Sequence, residues 1–361
     1  MALVGLLGMA LGACGNNEPG PVKHGGANAK PATEQAPAPP ATTADLVERI
    51  RACMTHVTRR HLAGIGTCYA DTAVVTRVDA VPPSVARGRA TLLAQLEAYF
   101  ASFVDTGSEL RLILVKDLGE VVTVGLTSTR QSGPFLGRPG TGAEVGMLGA
   151  SQIEIDDRGQ IAAERLYFDQ QTWFAQSTGH PAGHRPVWQP GRTRPEIAIA
   201  QGSQLERENL AAVRRFQQAR ADRDREKSLA LIAENARMWP LAQPDDLEGA
   251  TAIGGYLDRE WQMSSDLAQT PQDSFAAGSY AVARTRVSGT HDGPLADGTR
   301  ATGKSFALER LEIFKLAHGR IVEWWLFENG LALATQLGLT QMTDTAERTP
   351  AAASEPVTGE N

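Results

Sequence analysis

Gly319 to Gly338 reads G-R-I-V-E-W-W-L-F-E-N-G-L-A-L-A-T-Q-L-G, and Gly159 to Thr178 reads G-Q-I-A-A-E-R-L-Y-F-D-Q-Q-T-W-F-A-Q-S-T. Gly319 stands 160 residues after Gly159, and the same spacing separates Ile321 from Ile161, Asn329 from Asp169 and Gln336 from Gln176. A register held without a gap across a turn, a strand and a helix marks a tandem duplication. Each stretch reads as a glycine turn, a strand, a polar residue closing the strand, and a short apolar helix.

Working outward, the 361-residue chain accommodates two such copies, each long enough to bury its own core. Apolar residues make up 42% and charged residues 21%, the balance of a soluble globular protein, and a net charge of −6 offers no footprint for nucleic acid. Helical spacing runs from Ala44 through Leu46, Val47, Ile50, Met54 and Val57, then over Leu62 to Tyr69 and Arg89 to Phe103. Strands follow at Leu110 to Val115, Val121 to Thr129, Met147 to Ile155 and Ile161 to Asp169. The second copy repeats the order with helices at Glu206 to Asp222, Leu229 to Ala236 and Ile253 to Met263, and with strands at Asp273 to Phe275, Tyr280 to Thr290, Lys304 to Phe314 and Ile321 to Glu328.

Helices followed by a meander predict an α+β class. The expected architecture is two tandem cone-shaped domains, each a curved antiparallel sheet wrapped around about three helices, with a pocket inside the cone. The domains are expected at 44–178 and 206–340, joined by a Pro-, Gly- and His-containing linker at 179–205 and followed by a disordered tail at 341–361. His180 and His184 belong to that linker, which brings no further ligands, so no metal site is expected.

The first fourteen residues are small and apolar up to Cys14 and too short to span a bilayer. They resemble a bacterial lipoprotein signal, although no Lys or Arg precedes the apolar run; the L-G-A-C sequence would place lipid on Cys14. Residues 15–43 are rich in Pro, Ala and Gly and read as a flexible tether. Together they predict a cell-envelope protein anchored through Cys14, in the outer membrane or periplasm of a host that has one. Cys53 and Cys68 admit two readings, a disulfide or two small buried side chains. No C-x-x-C is present.

G-T-H-D-G-P-L at Gly289 to Leu295, A-T-G-K at Ala301 to Lys304 and the Gly319 to Gly338 stretch resemble the SnoaL-like polyketide cyclase family, of the nuclear transport factor 2 superfamily of α+β cones. The resemblance covers nearly all of both copies. It implies cofactor-free ring closure by intramolecular aldol condensation, with an aspartate at the end of the last strand as general acid/base and a histidine from a neighbouring strand. Carried over, the aspartate is Asp169 in the first copy and Asn329 in the second. The histidine is His291 in the second copy, and Gln131 takes its place in the first. Neither copy holds the pair, and an amide cannot serve as a base.

Tyr167, one pleat from Asp169, is its expected hydrogen-bond partner, whereas Arg165 lies about 13 Å away along the strand. Alternation puts Trp325, Phe327 and Asn329 on one face, expected to line an apolar pocket, and Trp324 on the other, expected to pack between the copies. The ligand-binding candidates are therefore Gln131, Arg165, Tyr167, His291, Trp325, Phe327 and Asn329, with Asp169 the candidate acid/base and no cofactor required. The leading expectation is a small apolar or carbonyl-containing ligand held in a cone. Its competitors are a cyclase, isomerase or hydrolase using Asp169, and an envelope interaction module in which the two copies form an intramolecular pseudo-dimer.

Overall fold

A computed structural model describes residues 40, 42–135, 139–179, 183–191 and 194–340. Cys14, most of the tether, His180 and the 341–361 tail lie outside the described residues.

In the first domain, α1 (Thr43–Thr58) starts at a capping box made by Thr42 and Asp45, and it buries the stripe Leu46, Val47, Ile50, Cys53, Met54 and Val57. It is followed by α2 (Leu62–Cys68), β1 (Tyr69–Arg77), β2 (Ser84–Arg87), α3 (Arg89–Ser102), β3 (Phe103–Val115), β4 (Glu120–Gln131), β5 (Glu144–Ile155), β6 (Ile161–Tyr167) and α4 (Gln170–Ser177). A further strand, β7 (Glu196–Ile199), pairs in parallel with β3.

The second domain begins with α5 (Gln204–Ala221), which repeats the capping box with Ser203 and Glu206. Then come α6 (Arg225–Ala230), β8 (Ile232–Pro240), β9 (Leu247–Glu248), α7 (Gly249–Met263), β10 (Ala268–Ala277), β11 (Tyr280–Thr290), β12 (Ser305–Ala317), β13 (Arg320–Phe327) and α8 (Gly330–Gln336). Gly88 and Gly249 open α3 and α7 at φ +86° and +85°, a conformation that favours glycine at both equivalent turns.

Each domain is α+β with one mixed sheet, ordered β2-β1-β6-β5-β4-β3-β7 in the first and β10-β11-β12-β13-β8-β9 in the second. The meander is antiparallel, but the first long strand of each domain pairs in parallel with the last, β1 with β6 and β8 with β13. Two sequence expectations change here. Residues expected as helix up to Ala236 are strand from Ile232, because pairing with β13 overrides their helical spacing. The 179–205 stretch, expected as a solvated linker, carries buried Arg185, a Trp188 N–H that donates to Gly146 O, and β7 covering the edge of β3. Register also makes Met238 the counterpart of Val75, since these residues pair with Trp324 and Glu164, and it gives Trp239 the place of Thr76.

Cys53 and Cys68 are joined by a disulfide with 6.0 Å between their Cα atoms, and it ties α1 to the end of α2. By chain entropy, a loop of 15 residues closed this way is worth about 3 kcal/mol.

The faces of the sheets divide cleanly. On β13, Trp324 and Leu326 point into the core of the second domain with Phe216, Phe314 and Tyr256. Trp325 and Phe327 instead join a cluster shared with the first domain, in which Trp239 stacks on Trp325 at 4.8 Å between ring centroids. This reverses the expected roles of the tryptophan pair: Trp324 is interior and Trp325 is at the junction. The strand is buried on both faces, so alternation groups the residues without saying which group faces inward.

Candidate functional site

The sequence candidates fall in two places. Arg165, Tyr167, Asp169, Trp325, Phe327 and Asn329 gather where the domains meet, and Gln131 and His291 sit at the inner ends of β4 and beyond β11.

At the junction, Asp169 is the N-cap of α4 and is 1% exposed. One carboxylate oxygen accepts the Thr172 N–H at 2.8 Å; the other accepts Gln171 N–H at 3.4 Å and, from the opposite domain, Gly330 N–H at 2.9 Å. Asn329 answers it. Its carbonyl oxygen caps α8 through Leu331 N–H and accepts Gln170 N–H across the junction, both at 3.2 Å. Its amide donates to Asp79 O at 2.8 Å and to the Gln170 side-chain oxygen at 3.2 Å. Each residue thus caps its own helix and the first turn of its counterpart's. Burial pushes the Asp169 carboxyl above its ordinary range, opposed by the hydrogen bonds from Thr172, Gly330 and Gln171.

Among the described residues neither Arg165 nor Tyr167 hydrogen-bonds to Asp169, whose partners are Thr172, Gln171 and Gly330. Arg165 forms a bidentate pair with Glu309 of the other domain at 2.8 and 2.7 Å, and the Tyr167 hydroxyl donates to the same carboxylate at 2.6 Å. Glu309 N–H in turn donates to Asp79 at 2.6 Å. Burial followed by the Glu309 charge raises the Tyr167 phenol. These groups are spent on one another, which is the arrangement of a fastening.

Gln131 and His291 do occupy equivalent positions. Gln131 N–H donates to Ala143 O, and His291 N–H donates to Lys304 O. His291 is fully buried, and its Nδ1 accepts the Thr302 N–H at 3.2 Å and lies 3.0 Å from the Thr302 hydroxyl. The His291 Nε2 has no hydrogen-bond partner among the described residues. The Gln131 carbonyl oxygen accepts from the Thr141 hydroxyl at 3.1 Å.

The inward faces hold the chemistry that sequence reasoning missed. In the first domain Glu164, 2% exposed, accepts from the Tyr69 hydroxyl at 2.5 Å and the Ser151 hydroxyl at 2.7 Å. Burial pushes its carboxyl up, opposed by those two hydrogen bonds. Ser151 is registered opposite Thr123, and Gly149 opposite Gly125. The hydroxyls of Thr123 and Thr127 and the side-chain carbonyl of Gln95 are buried without hydrogen-bond partners among the described residues. The one available signal was a glutamate set among Ile161, Leu166 and Tyr167, and it could be used only by first knowing the inward face.

The second domain fills the same positions differently. Glu312 stands opposite Ala283, and Arg310 opposite Thr285. Arg220 pairs with Glu312 at 2.7 Å and with Glu260 at 3.3 Å, while Arg310 lies 2.6 Å from Glu260 and 2.7 Å from Glu328. Burial opposes the charge on Glu260, but Arg310 and Arg220 hold its carboxyl below the usual range; burial lifts that of Glu328. Among the described residues no group of His, Cys, Asp and Glu is arranged to hold a metal ion.

No curated protein sequence is similar enough to count as a relative. Among solved structures, a protein assigned as a SnoaL-like polyketide cyclase from Jannaschia sp. CCS1 is 20% identical, aligning over 42% of this chain and 99% of its own with a TM-score of 0.36. IdmH from Streptomyces antibioticus, assigned as a polyketide cyclase, is 24% identical over 36% of this chain and 98% of its own, with a TM-score of 0.32. AclR from Streptomyces galilaeus, assigned as a hydroxylase, is 18% identical over 37% of this chain and 87% of its own, with a TM-score of 0.34. The sequence profile of the SnoaL-like polyketide cyclases matches residues 44–177 and again residues 210–337, so the chain belongs to that family and carries its domain twice.

Proposed function

We propose that this is an exported, lipid-anchored tandem protein that binds a small apolar or carbonyl-containing ligand in a cone, and that Asp169 serves the junction rather than proton transfer. The observation that carries this reading is the Asp169 carboxylate, which accepts from Thr172, Gln171 and Gly330 at two helix starts and is 1% exposed. A general base needs a lone pair within reach of a substrate proton, and these oxygens are buried against the backbone of two helix starts. The two domains, fastened through Glu309, Asp79, Asp169 and Asn329, act as an intramolecular replacement for a dimer.

Asp169→Asn turns one of two accepting oxygens into a donor facing backbone N–H groups at a buried site, so it is expected to cost about 1–3 kcal/mol while leaving the protein folded. Native mass spectrometry after gentle extraction should find the same retained small molecule on wild type and on Asp169→Asn. Loss of that molecule, or of turnover of an offered β-keto ester, in the variant alone would return Asp169 to an active centre.

Export is supported by the Cys14 lipobox and by the Cys53–Cys68 bond, which suits an oxidising compartment. The Cys14→Ser variant is expected to move from the membrane fraction to the soluble fraction. Membrane association unchanged by that substitution would remove the anchor.

A further inference from the structure

We propose that the two domains together form a second ligand site, a polar cleft at the edge of their junction that takes a free α-amino acid with a cationic side chain. The cleft lies apart from the cones, and the proposal does not rest on the reading above.

A cavity of about 410 Å³ opens there, lined by Asp117, Gln152, Glu154 and Arg165 of the first domain and by Asp273 and Arg284 of the second. Its size is that of a small-molecule site, and neither copy holds the lining alone. Strand register explains why charge collects here. Glu120 stands opposite Glu154 on β4 and β5, and Gln152 opposite Arg165 on β5 and β6, so the period of two puts all four on one face. Across the cleft Asp273 stands opposite Arg284 on β10 and β11.

Some of these charges are matched within the protein. Lys116 lies 2.6 Å from Glu120, and Arg165 forks onto Glu309. The others are not. Asp117 and Glu154 form no ion pair among the described residues, and Asp273 has only Lys116 at 3.9 Å. Glu154 also faces Glu120 directly, a placement in which like charges repel. Arg284 is the complement: its side chain is 24% exposed, its Nε is buried without a partner, and its guanidinium makes no hydrogen bond among the described residues. The carboxylate it approaches is Glu309 at 3.8 Å, which Arg165 and Tyr167 already hold.

Gln152 gives a second observation, independent of the charges. It is 7% exposed, and its Nε2 donates to Glu120 at 2.8 Å. That bond fixes the amide, since the reverse orientation would set its oxygen against a carboxylate. Its Oε1 is then a buried acceptor with no donor among the described residues.

The cleft therefore offers donors that lack an acceptor at Arg284, and acceptors that lack a donor at Gln152, Asp117, Glu154 and Asp273. A ligand that answers both carries a carboxylate for the guanidinium fork and an ammonium for the oxygens. Three unmatched carboxylates against one guanidinium favour a second ammonium, which a cationic side chain supplies. A metal ion would leave Arg284 unanswered, and no group of acids among the described residues is arranged to hold one.

The test is calorimetric titration of the full chain with L-lysine, with cadaverine, which lacks the carboxylate, and with L-norleucine, which lacks the side-chain amine. Lysine is expected to bind, and each analogue to bind at least about tenfold more weakly. Arg284→Met should weaken lysine about tenfold while leaving cadaverine no weaker, because only the carboxylate meets Arg284. Gln152→Met and Asp273→Asn should each weaken lysine about threefold or more. Asp117→Asn, which keeps the oxygen that accepts the Gly119 N–H, should do so without disturbing its turn. If Arg284→Met fails to fold, the three ligands on wild type decide the matter.

Neither heat nor a rise in the thermal midpoint with lysine up to about 10 mM would overturn the site. Cadaverine or norleucine binding as tightly as lysine would overturn the ligand class. Lysine affinity unchanged in Arg284→Met and Asp273→Asn would overturn the cleft as its place. Each of these results leaves the cone reading untouched, since native mass spectrometry tests that separately.

Discussion

Asn329→Asp is expected to destabilise the protein by about 4 kcal/mol near neutral pH, a loss comparable to leaving a buried charge unpaired. Asn329 is 4% exposed, and its amide donates to Asp79 O and the Gln170 side-chain oxygen. A carboxylate there would turn a donor into an acceptor facing two acceptors, and would add a second negative charge beside Asp169 at helix starts that already hold one. The new carboxyl would have a folded pKa raised above its unfolded value of about 3.9. Its penalty is therefore present above the folded pKa and vanishes below the unfolded one, so the deficit should shrink as pH falls from neutral toward ~pH 4. Urea unfolding across that range measures it. A deficit below about 1 kcal/mol, or one that grows on acidification, would sink this account. The amide in the second copy thus meets a requirement of the junction, whatever became of the inherited chemistry.

That junction shows where sequence reasoning stops. The duplication, the α+β class and several elements were legible, because glycine turns and hydrophobic spacing are local: β11 matches the expected Tyr280 to Thr290 residue for residue, and α1 differs from its expected start by one position. The sign of a face is not local. Arg165, Tyr167 and Asp169 were rightly grouped, as were Trp325, Phe327 and Asn329, yet a strand buried on both sides gives the same alternation whether the group looks into the cone or out of it. Glu164 and Trp324, their neighbours on the other face, were therefore passed over or assigned to the wrong side. The strand β7 escaped for a different reason: four residues in a Pro-rich stretch carry no period, and only the open edge of β3 makes them a strand.

Arg310→Met is the other substitution expected to be severe, at about 3–5 kcal/mol, and it tests the idea that the second cone is filled for support. Arg310 is 4% exposed and stands between Glu260 at 2.6 Å and Glu328 at 2.7 Å. Methionine replaces its bulk but leaves Glu328 without a cation and Glu260 with only Arg220 at 3.3 Å. The pH dependence has two opposing parts. The wild-type Glu260 carboxyl is held below its ordinary range, so it contributes stability above its unfolded pKa that is lost as pH falls. The Glu328 carboxyl, already raised by burial, rises further without Arg310, so its penalty in the variant sits above its folded pKa and fades in acid. Both effects narrow the gap between variant and wild type as pH drops, and denaturant unfolding at neutral and acid pH should show that narrowing. Adding Glu328→Leu to Arg310→Met should recover much of the loss, since it removes the stranded carboxylate along with the cost of burying it. If the single variant loses less than about 1 kcal/mol, or if the pair of substitutions is worse than their sum, the network is not what holds the second cone.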